Sequence, residues 1–295
     1  MSDLHLRGVL TALITPFDPS GEIDLAAFRE LVDRQLAAGV HGLVPCGTTG
    51  ETPALSDEEW AKLVGICVEA AAGRVPVVPG TGANNTPRTV ALTRRARELG
   101  ADAALVVTPY YNKPNPRGLV AHYRAVAEVG LPVVLYNVPS RTGSNVPAEL
   151  VLEIAENQAV VAVKEASGQL SQAMSLVAGR PRETFSVLSG EDELTCAMTL
   201  MGGDGVISVV SNVDPAGVVE MVEAALEGDA RRARREHYRL LALTRALFAE
   251  TNPVPAKAAL AALGLCRGGV RPPLAPASES TVEALRRALA AAGLS

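Results

Sequence analysis

The chain is organised around the stretch Val160-Val161-Ala162-Val163-Lys164-Glu165-Ala166-Ser167-Gly168, in which an apolar run ends in a lysine. Its first four residues are small and apolar and three of them are β-branched, which predicts a strand buried on both faces. Lysine is rarely buried without a reason. Two interpretations of Lys164 are open: it reaches solvent from the strand end, or burial lowers its pKa from about 10.4 and leaves a neutral amine that attacks carbonyl carbon.

Similar apolar runs lie on both sides of this stretch and alternate with helical segments. Glycine or asparagine marks the end of each helical segment, at Gly39, Gly73, Gly100, Gly130, Asn157, Gly179, Gly202 and Gly228. The predicted strands are Val9–Ile14, Gly42–Cys46, Val75–Val78, Ala103–Val107, Pro132–Tyr136, Val160–Val163, Phe185–Leu188 and Val206–Val210. This alternation predicts the α/β class and a (β/α)8 TIM barrel. The alternative is an open doubly wound sheet, but the chain lacks the G-x-G-x-x-G turn of that fold.

Three of the predicted helices begin with recognisable capping signals. Asp24 precedes an amphipathic segment, and Ser56 with Glu59 forms a capping box. Thr86 stands before Pro87, which favours a cap followed by a proline in the first turn. These signals predict where the helices after the first three strands begin.

The strand–helix alternation stops after Gly228. Residues 229–250, 252–264 and 281–292 have helical patterns, and no strand pattern separates them. We therefore predict two domains, a barrel over residues 1–228 and a small C-terminal helical domain over residues 229–295. Four arginines near the start of the second domain are expected on a solvated helix face rather than in a polyanion site: Arg231, Arg232, Arg234 and Arg235.

Composition and charge exclude several classes of protein. The 295 residues are 48% hydrophobic and 20% charged, which is typical of a globular rather than a disordered chain. A net charge of −5 gives no indication of nucleic-acid binding. No signal peptide is visible and no apolar run reaches membrane-spanning length, so we expect no membrane association.

The cysteines and histidines do not follow a metal-binding pattern. The four cysteines are far apart without C-x-x-C spacing, and the four histidines include no H-x-x-x-H pair. This distribution predicts neither a metal site nor a disulfide framework, and it suits the reducing cytoplasm.

Polar and aromatic residues follow the predicted strands at their carboxyl ends, where the active site of a barrel of this kind lies. The segments are Gly47–Glu51, Gly80–Asn84, Thr108–Tyr111, Tyr136–Gly143, Lys164 and Ser189–Asp192. Structural alternatives remain open: Gly47–Gly50 as a tight turn, Tyr110 and Tyr111 as rim packing, and Arg141 as part of a surface ion pair. Together, however, these segments bring an anion binder, a proton donor and a nucleophile to one rim.

Three of these segments carry a resemblance to a known family. In their order and spacing, G-T-T-G-E (47–51), Y-N-V-P-S-R-T-G (136–143) and V-K-E-A-S-G (163–168) resemble the dihydrodipicolinate (4-hydroxy-tetrahydrodipicolinate) synthase family. That family belongs to the Schiff-base class I aldolases, a superfamily that includes N-acetylneuraminate lyase. The likeness extends from Val9 to the last helix, and Arg141 is the part most typical of the synthases.

The resemblance implies a role for each matching residue. Lys164 corresponds to the lysine that forms an imine with pyruvate, and Tyr136 to the tyrosine that acts as its acid and base. Thr48 and Tyr111 correspond to a proton relay, in which the tyrosine matching Tyr111 comes from a neighbouring subunit. The implied substrate-binding residues are Thr48, Thr49, Arg141, Gly190 and Ile207. Among these, the backbone amides of Thr48 and Thr49 hold the pyruvate carboxylate, and Arg141 binds the carboxylate of the aldehyde.

The implied reaction condenses pyruvate with L-aspartate 4-semialdehyde, giving 4-hydroxy-tetrahydrodipicolinate in lysine and diaminopimelate biosynthesis. The resemblance also implies a cytoplasmic homotetramer, a dimer of dimers, that needs no metal or organic cofactor. One alternative keeps the imine but acts on a 2-keto-3-deoxy sugar acid or a sialic acid, and such relatives usually lack Arg141. A second alternative is a non-catalytic pyruvate-binding barrel, against which the intact lysine, tyrosine and threonine set argues.

Inhibition by lysine is a separate expectation. Asn84 and Tyr110 match positions that bind the inhibitor in lysine-sensitive relatives. The remaining positions depart from that pattern: Pro53, Asp57, Trp60 and Arg88. We expect the Trp60 indole to fill the space of the ligand's stem and the Arg88 guanidinium to repel its ammonium, so that lysine does not inhibit strongly.

Overall fold

Residues 4–294, which the computed structural model describes, form a parallel sheet surrounded by helices. The strands are β1 Gly8–Ala12, β2 Gly42–Val44, β3 Ala104–Val107, β4 Val133–Asn137, β5 Val160–Glu165, β6 Ser186–Ser189 and β7 Gly205–Ser208. The helices are α1 Leu25–Ala37, α2 Asp57–Ala71, α3 Thr86–Glu98, α4 Pro116–Ala127, α5 Pro139–Thr142, α6 Ala148–Ala155, α7 Leu170–Gly179, α8 Thr195–Leu200, α9 Pro215–Leu226, α10 Ala230–Leu247, α11 Val254–Ala262 and α12 Glu279–Ala291.

The strands of this part of the chain pair in the order β2-β1-β7-β6-β5-β4-β3, and every pair is parallel. Because a parallel connection needs a crossover, the helices lie outside the sheet and the strands curve into a nearly closed ring. The carboxyl ends of the strands therefore meet on one rim. This arrangement confirms the predicted barrel class.

The predicted strand at Val75–Val78 is not a regular strand. Within it Val77 makes an isolated parallel bridge to Leu43 of β2, and just after it Gly80 makes another to Leu105 of β3. Pro76 and Pro79 have no N–H for a continuous ladder, although their carbonyl oxygens accept hydrogen bonds from the N–H groups of Leu43 and Leu105. The chain therefore closes the barrel here with single contacts instead of an eighth ladder.

Two apolar layers line the two sides of the sheet. The outer layer packs the strands against the helices and includes Phe28 and Leu63. The inner layer fills the barrel and includes Val134, Ile207 and Tyr136. Because the interior is packed with side chains, a ligand can enter only at the rim.

Two of the three predicted helix caps are confirmed. Asp24 caps α1, and Ser56 forms a reciprocal capping box with Glu59 at the start of α2. The predicted cap at Thr86 is wrong by one residue: the Asn85 side chain accepts the capping hydrogen bond, and Thr86 is already helical. Asn is a stronger cap than Thr, which explains the difference.

The three C-terminal helices are present as α10, α11 and α12. Arg239 joins α10 to its surroundings, because its guanidinium donates to the Asp214 carboxylate (2.8 Å) and to the Ala292 carbonyl (3.0 Å). Of the predicted basic cluster, Arg232 is half-buried and pairs with Glu220 (3.0 Å), and the other three arginines are exposed. The division at residues 228 and 229 stays a prediction.

Three further observations concern residues 4–294 as a whole. None of their helices combines the length and apolar character needed to cross a membrane. They contain no group of three or more His, Cys, Asp or Glu side chains suited to holding a metal ion. The four cysteines are free thiols, and all but the half-buried Cys266 are buried.

Candidate active site

Strands β4 and β5 place Tyr136 and Lys164 side by side at the carboxyl end of the barrel. The two residues are register partners in the parallel pair. The Lys164 Nζ lies 4.4 Å from the centroid of the Tyr136 ring. Only 5% of Lys164 is exposed, so the interpretation of a lysine that reaches solvent is wrong.

The environment of Lys164 raises the neutral fraction of its amine. Burial lowers the pKa of Lys164 to about 8, while the carboxylates of Asp192 and Glu191 raise that pKa and Arg141 lowers it further. With a pKa near 8, roughly one tenth of the amine is neutral at pH 7. This fraction suffices for nucleophilic attack on a carbonyl carbon.

The pKa of Tyr136 is shifted in the opposite direction. Burial raises the pKa of Tyr136 to about 12; Arg141 opposes this shift, Glu191 adds to it, and a hydrogen bond with Thr48 opposes it. The phenol is therefore protonated at neutral pH. A proton donor thus stands next to a partly neutral amine, which is the pairing that general acid–base catalysis needs.

The Gly47–Glu51 segment forms a 3₁₀ turn over Thr48–Gly50. The first N–H groups of such a turn have no acceptor within it, which leaves them for a ligand or water. Thr49 is buried and its Oγ1 accepts a hydrogen bond from Asn252 Nδ2 (2.8 Å). The Thr52 hydroxyl donates to the Gly47 carbonyl (2.9 Å) and holds the turn from its other side. The turn is therefore positioned from two sides.

Arg141 lies on the four-residue helix α5, directly after β4. Its side chain is exposed, and Nη2 donates to the backbone carbonyl of Asn252 (3.3 Å) rather than to a carboxylate. The guanidinium thus keeps donors for a ligand, and a fork of donors suits a substrate carboxylate.

A cavity of about 500 Å³ lies at this rim. Its lining includes Thr48, Tyr136 and Arg141, and it continues to Tyr110 and Arg88. Lys164 lies beside Tyr136 and is not itself among the lining residues. A cavity of this size with a few convergent polar groups suits small organic acids.

Gly190 and Ile207 shape the surroundings of the amine. A Cβ on Gly190 would stand 3.1 Å from Cε of Lys164 and 2.7 Å from Cβ of Ala166. Only glycine therefore leaves room for the lysine stem at that position. Ile207 is fully buried inside the barrel on β7.

Tyr111 is not brought to this cavity within the single chain. It is 89% exposed, at a backbone φ of 73° that residues other than glycine rarely adopt. Its neighbour Tyr110 does line the cavity. The loop that carries both tyrosines thus directs one of them inward and the other to the surface.

Sequence reasoning missed the contribution of Asp192. This buried carboxylate accepts hydrogen bonds from the Ser208 hydroxyl and from the Val209 N–H (2.9 Å), and burial raises its pKa. It also raises the pKa of Lys164. A usable signal existed, because Asp192 follows the predicted strand Phe185–Leu188 among the rim residues.

Asn252 is a second residue that sequence reasoning missed. It lies 203 residues from Thr49, yet donates to its side chain and accepts from Arg141 through its carbonyl. Its Oδ1 is buried without a hydrogen-bond partner in the described part of the chain. No local pattern around residue 252 distinguishes this position from other helix starts.

The positions expected to affect lysine binding are arranged differently from the prediction. Trp60 is buried in the outer core and its Nε1 donates to the Gly80 carbonyl (3.0 Å), so the indole does not line the cavity. Arg88 does line the cavity, and its guanidinium pairs with the Asp57 carboxylate. Arg88 is therefore the residue on which the expected repulsion depends.

Comparisons with known proteins show which family this chain is similar to. The model of the dihydrodipicolinate synthetase family matches residues 5–292. The 4-hydroxy-tetrahydrodipicolinate synthase of Thermomicrobium roseum is 54% identical over 286 residues, which are 97% of this chain and 94% of the relative. The crystal structure of dihydrodipicolinate synthase from Thermotoga maritima is 45% identical, with a TM-score of 0.97 over 99% of this chain and 100% of that chain. A monomeric dihydrodipicolinate synthase variant is also 45% identical, with a TM-score of 0.96 and 98% of each chain covered.

Proposed function

The chain belongs to the dihydrodipicolinate synthetase family, and on this premise we propose that it condenses pyruvate with L-aspartate 4-semialdehyde to give 4-hydroxy-tetrahydrodipicolinate. It is an enzyme of the lyase type that serves lysine and diaminopimelate biosynthesis. The observation that carries the chemistry is the buried Lys164 amine, whose pKa of about 8 leaves part of it neutral beside the protonated Tyr136.

In the first half of the reaction, Lys164 forms an imine with pyruvate. The neutral Nζ attacks the ketone carbon, and the carbonyl oxygen takes up two protons and leaves as water. Tyr136 is placed to supply a proton to the departing oxygen, and Thr48, which lines the same cavity, is placed to return one. The free N–H groups at Thr48 and Thr49 hold the pyruvate carboxylate.

In the second half, the imine acts as an electron sink. The pyruvate methyl group loses a proton, and the resulting enamine carbon attacks the aldehyde of the semialdehyde, whose oxygen is protonated. The substrate's own amine then adds to the imine carbon and releases Lys164. Arg141 binds the semialdehyde carboxylate at the outer part of the cavity.

Gly190 and Ile207 determine the shape of the site around the Lys164 side chain. Gly190 leaves the space in which the Lys164 stem lies, and Ile207 supplies an apolar wall inside the barrel. An apolar wall excludes water, which keeps the amine partly neutral and protects the imine from hydrolysis.

We propose a homotetramer, a dimer of dimers, in which Tyr111 completes the proton relay of a neighbouring subunit. Its 89% exposure and left-handed backbone in the single chain support this assignment. The monomeric variant among the relatives means that the fold alone does not dictate assembly. Cytoplasmic location and the division into a barrel over residues 1–228 and a helical domain over residues 229–295 belong to the same proposal.

Two alternative functions are weaker. A lyase acting on a 2-keto-3-deoxy sugar acid or a sialic acid would use Lys164 and Tyr136 but has no need for Arg141, which faces the cavity here. A non-catalytic pyruvate-binding barrel has no need for an amine whose pKa is lowered to about 8. Both alternatives also leave the 54% identity to a synthase unexplained.

A coupled assay with pyruvate and L-aspartate 4-semialdehyde tests the substrate pair, with a sialic acid and a keto-deoxy sugar acid as competing substrates. Reduction by borohydride in the presence of pyruvate tests the imine, with peptide mapping to locate the adduct. We expect turnover only with the semialdehyde and an adduct only on Lys164. An adduct on another lysine, or faster turnover of a sugar acid, contradicts the proposal.

A further inference from the structure

The 48–50 turn is anchored at its carboxyl end by the carboxylate of Glu51. Glu51 has a backbone φ of 55°, in the left-handed region that residues other than glycine rarely adopt. Its side chain is buried, and its two oxygens accept from Lys257 Nζ (2.6 Å) and from the Arg271 N–H (2.9 Å). These two hydrogen bonds hold the strained residue, and with it the end of the turn.

Lys257 lies on α11, 206 residues away in sequence from Glu51. Its surface is 0% exposed, and its Nζ lies 4.0 Å from the centroid of the Phe17 ring. Burial lowers the pKa of Lys257, and the hydrogen bond with Glu51 opposes this shift. The ammonium is thus held in place by one carboxylate and one aromatic ring.

The segment that leads into α11 makes a second contact with the same turn. Asn252 donates to Thr49 Oγ1 (2.8 Å), and its carbonyl accepts from Arg141. Residues 252–257 therefore touch the turn at Thr49 and at Glu51, on either side of Gly50. Two contacts from one short segment therefore constrain the turn at two points.

Stability alone does not account for a buried pair of this kind. Desolvation of two charges offsets most of their attraction, and apolar replacements of similar volume are often neutral or stabilising. A buried pair does restrict geometry, because neither charge can leave its partner without a large loss. The turn that it restricts carries the amides assigned to the pyruvate carboxylate.

We propose that Lys257 and Glu51 are positioning residues, through which helix α11 sets the geometry of the 48–50 turn and hence the affinity for pyruvate. This inference rests on the proposed function, since it takes the turn to be the pyruvate-carboxylate site. Neither residue touches substrate. Misplacing such a turn weakens pyruvate capture and leaves the semialdehyde site largely as it was.

The test compares Lys257→Met, Glu51→Gln and the double variant with a matched control, Glu236→Gln. Glu236 is another largely buried carboxylate that pairs with an arginine, Arg239, but it lies on α10 and contacts neither the turn nor α11 through that pair. The measurements are the half-saturating pyruvate for borohydride trapping at Lys164, the KM for each substrate, and the melting temperature.

We expect half-saturating pyruvate to rise roughly tenfold in the single variants, with a less than twofold change for the semialdehyde. The double variant leaves no lone buried charge, so its melting temperature recovers toward the wild type while the weak pyruvate capture persists. Glu236→Gln lowers the melting temperature without changing half-saturating pyruvate. The proposal is overturned if both the melting temperature and the half-saturating pyruvate of the double variant return to wild-type values. It is also overturned if the single variants lose affinity for pyruvate and for the semialdehyde equally.

Glu51→Asp keeps both charges buried and paired while shortening the anchor by one methylene, so it tests the proposal even where charge removal prevents folding. We expect a smaller rise, about threefold, in half-saturating pyruvate. An unchanged value in this variant overturns the inference. If the wild type itself shows no pyruvate-dependent adduct at Lys164, the proposed function fails instead, and the two failures are thereby distinguished.

Discussion

Two buried lysines at the same rim of the barrel both lie over an aromatic ring but differ in their charged neighbours. Near Lys164, at the end of β5, carboxylates act on the amine through space without a direct ion pair within residues 4–294. Lys257, on α11, forms a 2.6 Å ion pair with Glu51. Burial lowers the pKa of both amines, but only Lys257 has a carboxylate in direct contact that holds its proton. The comparison shows that burial lowers the pKa of an amine, and that a directly bonded carboxylate opposes this shift and holds the proton.

The strongest test of this contrast replaces each lysine by methionine. Lys164→Met removes the atom that bonds to pyruvate, so we expect turnover to fall by on the order of 10³-fold or more. Lys257→Met keeps that atom and is expected to retain trapping by borohydride at saturating pyruvate. Equal losses of turnover in the two variants would contradict the distinction. The measurement is the coupled assay together with peptide mapping of the adduct.

Arg141 connects the two regions, because it acts on the pKa of Lys164 and donates to Asn252 in the segment before α11. We expect Arg141→Ala to weaken binding of the semialdehyde roughly ten- to a hundredfold, since a hydrogen bond to a charged group contributes about 1.5–3 kcal/mol. Imine formation with pyruvate should persist, with the Lys164 pKa moved upward. Substrate titrations and borohydride trapping measure the two effects separately.

Arg88→Ala is the matched control for this prediction. Arg88 lines the same cavity, but its guanidinium is already paired with Asp57. We expect its removal to leave the semialdehyde KM within about twofold, because an exposed ion pair contributes little. Loss of imine formation in Arg141→Ala, with normal semialdehyde handling, would show that the assignment of Arg141 is wrong.

The pH dependence of trapping sharpens the contrast further. With a pKa of about 8 for Lys164, the neutral fraction rises from about 1% at pH 6 to about 50% at pH 8, so the trapping rate should rise roughly fiftyfold and then level off. The sign follows because only the deprotonated amine attacks the ketone. Lys257→Met should keep the same inflection at saturating pyruvate. An inflection near the ordinary lysine value would contradict the environment described for Lys164.

Free lysine would bring an ammonium group into the cavity that Arg88 lines, and its inhibition should be the smallest of these effects. The positive charge of Arg88 opposes its binding next to Asn84 and Tyr110. We expect no half-inhibition at submillimolar lysine when it is titrated at subsaturating pyruvate. Arg88→Ala is the informative comparison: it should increase inhibition by lysine, whereas unchanged strong inhibition of both proteins would show that Arg88 has no such role.

Local pattern was enough to predict much of the barrel and the reactive end of β5. The β-branched run before Lys164 predicted a buried strand, and the capping signals at Asp24 and Ser56 placed two helix starts. The strand predicted at Val75–Val78 is wrong. Its apolar residues do lie beside the barrel strands, but Pro76 and Pro79 prevent a continuous ladder of hydrogen bonds. A hydrophobic sequence pattern indicates that a segment is buried, whereas a β-sheet also requires backbone N–H donors for its hydrogen bonds.

The residue types at the strand ends could be identified from the sequence, because a strand and the turn that follows it depend on a few adjacent residues. Lys164, Tyr136, Thr48 and Arg141 all belong to such local segments. Which charges lie next to each other depends instead on the packing of distant segments. Glu51 and Lys257 are 206 residues apart, and Asn252 reaches Thr49 across 203. Electrostatic environment is set by distance in space, and the packing of α11 against the barrel rim creates those distances.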